Sequence, residues 1–188
     1  MLTLEQVRSL TVGALHIYEE DGYFRFSRFR PAHYEAMTKR IAEYYKEDPV
    51  GGGFADRAQC ASGIRFEFMT RGGTFSFEYL IPCDNRCGYY GIDIKIDGVG
   101  VYHRNGKNIP DLGIVKLEIP ASAEPSRVTV YFPNTAHFAI RNIAMPADFA
   151  PAPRKSCKYL AIGDSITQGD VANSGNTNAA KDHGIDLE

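Results

Sequence analysis

Apolar and polar residues alternate with a period of two in many short segments of the first 150 residues, a pattern typical of half-buried β-strands. Glycine, aspartate or proline turns separate these segments. The predicted strands are 13–18, 23–29, 63–69, 74–81, 90–96, 99–102, 113–119, 127–132 and 137–143. About eight or nine short strands joined in this way predict a mainly β fold, an antiparallel β-sandwich of jelly-roll type.

The alternation also predicts which side chains form the core. On three of the strands the apolar positions share one face, which we expect to point inward: Ile64, Phe66, Phe68, Ile92, Ile94, Ile96, Val128, Val130 and Phe132. Burial of such a side chain stabilises a fold by roughly 1.5–3 kcal/mol. The aromatic residues of these strands are therefore interpreted as core rather than as a ligand platform.

One segment has helical instead of strand periodicity. Pro31 precedes a stretch over residues 32–46 whose apolar residues recur at helical spacing, and Gly51-Gly52-Gly53 ends it. The spaced residues are Tyr34, Met37, Ile41 and Tyr44. We expect this to be the one substantial helix of the region.

Composition and charge narrow the functional classes. Hydrophobic residues make up 44% of the chain and charged residues 23%, which is ordinary for a globular protein. The net charge of −2 gives no general attraction to nucleic acid. The N-terminus does not resemble a signal peptide, and no apolar run approaches the ~20 residues of a membrane span, so we expect a cytoplasmic protein without a membrane partner.

The four cysteines are Cys60, Cys83, Cys87 and Cys157. Reduced thiols, buried or in loops, are the preferred interpretation because no secretion signal is present. Cys83 and Cys87 have a C-x3-C spacing. One alternative is that this pair binds zinc together with Cys60 and His103. The other alternative is a disulfide between Cys83 and Cys87. The spacing fits no usual zinc module, so the sequence predicts no metal and no cofactor.

The composition changes near residue 150. Residues 148–157 are rich in proline and alanine and predict an extended, semi-rigid linker. This divides the chain into a β-sandwich over 1–147, the linker, and the start of a second domain over 158–188. Tyr159–Ile162 is continuously apolar, as in a parallel strand covered on both faces, whereas 171–188 has no apolar periodicity.

The apolar strand 159–162 runs into Gly163-Asp164-Ser165-Ile166-Thr167. A strand that ends in such a turn would project the Ser165 hydroxyl, and the Ser165 N–H near a helix start would stabilise an oxyanion. The alternative is a plain strand-to-helix turn in which Ser165 is an N-cap. The five-residue string with the following Gln168-Gly169 and the preceding linker favours the catalytic interpretation.

This segment resembles the serine block of the SGNH (GDSL) esterase and lipase family. The resemblance implies a flavodoxin-like α/β fold for the second domain, hydrolysis of small acyl or acetylated carbohydrate esters, and Ser165 as the nucleophile. It implies that Gly163 and Asp164 shape the turn. The first 150 residues, with Val130–Asn134, also look like the β-sandwich that precedes the hydrolase domain in some bacterial members.

The family's later blocks have no match in this chain. The family pattern places an aspartate three residues before the catalytic histidine, whereas Asp182 and His183 are adjacent. From Lys158 to the end there are 188 − 158 + 1 = 31 residues, enough for about one βα unit of ~30 residues, whereas a catalytic domain of this type needs several. We therefore expect negligible esterase activity from these 188 residues by themselves. We also expect the strand 159–162 to pair with an edge of the sandwich or with a second copy of the chain.

Two other functions remain open. The sandwich could bind carbohydrate, with ring stacking by Tyr89, Tyr90, Tyr102 and His103, although core or rim positions are preferred for these residues. It could instead be a structural module that orients the hydrolase domain. A histidine of the sandwich could also act as the base for Ser165, but ordinary surface or core roles are preferred for His16, His33, His103 and His137.

Overall fold

The computed structural model describes residues 2–44, 54–82, 90–106 and 110–154. The helices in these ranges are α1 Leu4–Leu10, α2 Pro31–Tyr44 and α3 Phe54–Gln59. The strands are β1 Thr11–Val12, β2 His16–Glu20, β3 Tyr23–Ser27, β4 Arg65–Thr70, β5 Gly73–Leu80, β6 Tyr90–Ile96, β7 Val99–Gly106, β8 Leu112–Ile119, β9 Ser126–Tyr131, β10 Ala139–Ala144 and β11 Ala150–Pro151.

The strands form two antiparallel sheets. Sheet A has the order β1-β4-β9-β6-β7, with β11 also paired to β4. Sheet B has the order β2-β3-β10-β5-β8. The chain is therefore mainly β, as the alternating pattern predicts, and side chains of the two sheets meet in one core. Strands distant in sequence are neighbours in both sheets, for example β4 beside β9 and β10 beside β5.

Every strand predicted from the sequence overlaps a strand of the structure. The predicted helix over 32–46 corresponds to α2. Helix α2 has 14 residues and is the one substantial helix among the described residues, whereas the short helices α1 and α3 are not predicted by the sequence pattern. Helix α1 begins with a capping box in which Thr3 Oγ1 accepts from the Gln6 N–H and Gln6 Oε1 accepts from the Thr3 N–H.

Two hairpins have the turn chemistry that their sequences predict. Asp21 and Gly22, between β2 and β3, have φ angles of 53° and 74°. Asp97 and Gly98, between β6 and β7, have φ angles of 48° and 84°. Positive φ at both central residues matches the right-handed twist of the paired strands.

The core lies between the two sheets, and the predicted inward face is confirmed. Ile96 packs against the core while half-buried, and the other predicted core residues are at most 4% exposed: Ile64, Phe66, Phe68, Ile92, Ile94, Val128, Val130 and Phe132. Phe26 from sheet B meets Phe66 from sheet A edge to face, with ring centroids 5.8 Å apart. The described phenylalanines of these strands are thus core residues.

Helix α2 lies largely on the surface and contains no buried residue. Tyr34, Met37 and Ile41 are half-buried, as their helical spacing predicts. Tyr44 does not follow this pattern, since it is 78% exposed.

Several predictions lie outside the described residues. These are the flavodoxin-like start of a second domain over 158–188, the strand 159–162, and the state of Cys83, Cys87 and Cys157. The boundary between the domains and the jelly-roll designation also stay predictions. Cys60 is described, and its side chain is buried.

Candidate functional site

The predicted catalytic residues Gly163, Asp164 and Ser165 lie outside the described residues. The structure does describe the chain that leads toward them as far as residue 154. It also describes a pocket on the surface of sheet B. These two places are the candidate functional regions of the described part of the chain.

The segment that leads to the serine block is fixed to the edge of sheet A. Strand β11 pairs antiparallel with β4, with Ala150 opposite Met69 and Pro151 opposite Phe68. The Ala152 N–H then donates to the carbonyl oxygen of Glu67 at 3.4 Å, and the Ala152 side chain is buried. Residues 150–152 of the predicted linker are therefore extended and attached to β4, whereas Asp148 lies in a turn.

Two arginines hold the end of this segment. Arg127 Nη2 donates to the carbonyl oxygen of Pro153 at 2.9 Å. Arg154 Nη2 donates to the carbonyl oxygens of Ser9 and Thr11 at 3.1 and 2.8 Å, where α1 passes into β1. These bonds join the segment to β9 on one side and to α1 and β1 on the other.

The start of the segment has a further anchor at Asp148. Its carboxylate accepts a hydrogen bond from the Thr70 hydroxyl at 2.5 Å and one from the Arg71 N–H at 2.9 Å. The Thr70 hydrogen bond, followed by that of Arg71, holds the pKa of Asp148 below its ordinary value. The charged form of Asp148 is therefore favoured by the folded structure.

A charged cluster lies beneath the segment on sheet A. Glu67 is only 5% exposed, and its carboxylate pairs with Arg65 Nε at 2.7 Å and with Arg127 Nη1 at 2.9 Å. A carboxylate this deeply buried requires charged partners. Arg127 thus links the buried Glu67 to Pro153 and couples the attachment of the segment to the stability of the sheet.

The pocket on sheet B, here called the α2–β3 pocket, has a volume of about 220 Å³. It lies at the ends of β2 and β3 and is bordered by α2, α3 and the chain before β10. Its described lining consists of His16, Tyr18, Arg25, Phe26, Ser27, Phe29, Pro31, Tyr34, Gln59, His137 and Phe138.

Aromatic and hydrogen-bonding groups dominate the lining. The rings of His16 and Tyr18 stack with centroids 4.9 Å apart and an angle of 18°. Gln59 Nε2, from the end of α3, donates to the Tyr34 hydroxyl of α2. Burial raises the pKa of the Tyr18 phenol, and the Glu20 carboxylate raises it further. The phenol therefore stays protonated, as a hydrogen-bond donor, at neutral pH.

Arg25 is the arginine that lines the pocket. Its Nε lies 2.6 Å from Oε2 of Glu20, as an ion pair rather than a hydrogen bond, and its side chain is 20% exposed. Among the described residues no hydrogen bond engages its two Nη groups. The four N–H donors of the two Nη groups thus remain available to a ligand in the pocket.

The other sequence candidates lie in several places in the structure. Tyr102 packs against the core, and the ring of His103 contacts the Asp93 carboxylate on β6. His33 is exposed on α2, whereas His16 and His137 both line the α2–β3 pocket. The Tyr89 prediction lies outside the described residues.

Within the described ranges, no group of three histidine, cysteine, aspartate or glutamate side chains could hold a metal ion. None of the helices described has the length and apolar content needed to cross a membrane.

Comparison with known proteins gives a likeness of fold. No family model and no curated protein matches the sequence. Among solved structures, the salicylyl-acyltransferase SsfX3 from a tetracycline biosynthetic pathway has a TM-score of 0.57 at 21% identity, and the match covers 87% of this chain and 45% of that one. The chain thus spans less than half the length of this structure. A putative GDSL-like lipase from Bacteroides ovatus has a TM-score of 0.46 at 17% identity, with 75% and 39% covered.

Sequence reasoning did not find the α2–β3 pocket. Its residues come from six places between positions 16 and 138, so no local motif marks it. One signal was available, because Arg25 and Ser27 occupy the polar positions of the alternating strand β3, which places them on the outer face of sheet B.

Proposed function

We propose that this chain is the N-terminal region of a serine ester hydrolase of the SGNH type, in which Ser165 attacks the ester carbonyl. One observation carries the proposal: the apolar sequence run 159–162 leads into Gly163-Asp164-Ser165-Ile166-Thr167, and the segment before it is anchored on a β-sandwich. An acyltransferase is among the structures with a similar fold, and acyl transfer is the reaction class of an activated serine. The substrates would be small acyl esters or acetylated carbohydrates.

The sandwich is proposed to orient the catalytic domain rather than to react itself. The support is the attachment of residues 148–154. Asp148 and Arg154 of this segment form hydrogen bonds with the sandwich, and Arg127 of the sandwich donates a hydrogen bond to the segment. From Arg154 to Ser165 there are 165 − 154 = 11 residues, a reach of at most ~40 Å when fully extended. The anchor therefore restricts where the serine lies relative to sheet A.

The test is ester hydrolysis by the natural gene product that contains this sequence. Hydrolysis of p-nitrophenyl acetate is measured for wild type, Ser165→Ala and the control Ser174→Ala. We expect Ser165→Ala to reduce kcat/KM by about 10⁴-fold or more and Ser174→Ala to have no effect. Equal activity of Ser165→Ala and wild type would reject the proposal.

The orienting role has a separate test in the same protein. Arg154→Ala removes the bonds to Ser9 and Thr11 without touching the reacting atoms. We expect a lower kcat/KM together with faster amide exchange over residues 150–154, because the serine would be less well positioned. Faster exchange with unchanged kcat/KM would leave the hydrolase proposal standing and reject the orienting role.

A further inference from the structure

The described lining of the α2–β3 pocket contains no residue of the serine block, and the side chains of this lining indicate a ligand. We propose that it binds a small carboxylate that carries one ring, with the Arg25 guanidinium holding the carboxylate. This inference goes beyond the proposed hydrolase function and does not depend on it.

The charge of the lining supports a carboxylate. The described lining contains Arg25, His16 and His137 but no aspartate or glutamate. Glu20 pairs with Nε of Arg25 from outside the lining. The Nη groups, which no described residue engages through a hydrogen bond, have the planar geometry that a carboxylate accepts in a bidentate manner. Only Nε of Arg25 is a buried nitrogen without a hydrogen bond, so the Nη donors are accessible from the pocket and a carboxylate ligand can reach them.

The walls support a ring. The stacked pair His16 and Tyr18 presents flat side chains on one side, and Phe29, Pro31 and Phe138 supply apolar surface. Offset stacking of aromatic rings contributes about 0.5–1.5 kcal/mol beyond burial. The volume of about 220 Å³ is smaller than that of sites for drug-sized ligands, which occupy ~300–1,000 Å³, so a single ring is the appropriate size.

The pocket is held in shape by hydrogen bonds in and beside its lining. Arg28 Nη2 donates to the carbonyl oxygen of Arg57 at 2.9 Å and connects the end of β3 to α3. Ser27 Oγ accepts from the Phe29 N–H at 3.1 Å, which fixes the turn after β3. A site built in advance loses less conformational freedom on binding than a flexible one.

The experiment is an NMR titration of the 188-residue chain with four probes. Benzoate and cyclohexanecarboxylate have a ring and a carboxylate, benzyl alcohol has the ring alone, and acetate has the carboxylate alone. We expect saturable shifts at His16, Tyr18, Tyr34 and Gln59 with the first two probes, and at least tenfold weaker binding of the other two. Comparison of benzoate with cyclohexanecarboxylate shows whether the ring must be aromatic.

Matched variants test the role of Arg25. Arg25→Lys keeps the charge but removes the fork, and we expect it to weaken benzoate binding at least tenfold. Arg141→Lys is the control, since Arg141 is also an ion-paired arginine, with Glu78 at 2.8 Å, on the same sheet and outside the pocket. Equal affinity for benzoate and benzyl alcohol, or no saturable binding by wild type, would overturn the proposal. These two outcomes decide the matter even if Arg25→Lys fails to fold.

Discussion

Arg127 Nη1 lies 2.9 Å from the carboxylate of Glu67. This contact connects the core of sheet A to the segment that leads to the serine block, because the same guanidinium also bonds to the Pro153 carbonyl. Glu67 is nearly inaccessible to water. Removal of a partner from a buried carboxylate leaves charge that water does not compensate.

The first prediction follows from this contact. Arg127→Ala should lower the free energy of unfolding by about 2–4 kcal/mol, because Glu67 keeps Arg65 as its remaining charged partner among the described residues. Urea denaturation of the chain measures the change. Arg40→Ala is the control, since Arg40 and Glu43 form an exposed pair at 3.6 Å that is expected to contribute less than ~0.5 kcal/mol. A loss no larger than that of the control would show that Glu67 does not depend on Arg127.

The second prediction concerns two strand glycines. A Cβ atom at Gly113 would lie 2.6 Å from the Tyr79 hydroxyl oxygen, whereas a Cβ at Gly100 would have no atom within 4 Å. Gly113→Ala should therefore destabilise the fold by about 1–3 kcal/mol through overpacking, and Gly100→Ala should not. Thermal unfolding of both variants provides the comparison. Equal melting temperatures would mean that Tyr79 moves away at little cost.

The third prediction concerns the hydroxyl of Tyr79 itself. It is buried and has no hydrogen-bond partner among the described residues. Burial of such a group costs about 1–3 kcal/mol. Tyr79→Phe should therefore leave stability unchanged or raise it, as measured by urea denaturation. A clear loss of stability would reveal a partner for this hydroxyl.

The fourth prediction is a pH dependence at Asp148. Hydrogen bonds from Thr70 and Arg71 hold its pKa below the ordinary value in the folded state. Its contribution to stability is therefore present above the unfolded pKa of ~3.9 and is lost as the pH falls through the folded pKa. Asp148→Asn should be less stable than wild type at pH 6, and the difference should shrink toward pH 2. A constant difference between the two melting temperatures across this range would contradict the assignment.

The sequence predicts the strands of this fold because their alternation reports which face is buried, as in Phe66 and Phe68. It does not predict how distant strands pair, since the contact of β4 with β9 depends on the whole core. Helix α1 was missed although Thr3 and Gln6 carry the signal of a capping box. The α2–β3 pocket was missed because Arg25, Tyr34 and His137 come together only when α2 lies beside the β2–β3 hairpin. The turn at Ser165 is predicted only from the sequence motif of residues 163–167.

The most direct test of the central claim is the site of covalent labelling by a fluorophosphonate. The natural gene product that contains this sequence is incubated with the reagent, digested and analysed by mass spectrometry. We predict an adduct on Ser165 that forms as esterase activity is lost, and no adduct in Ser165→Ala. An adduct on another residue, in a Ser165→Ala protein that still hydrolyses esters, would contradict the assignment of Ser165 as the nucleophile.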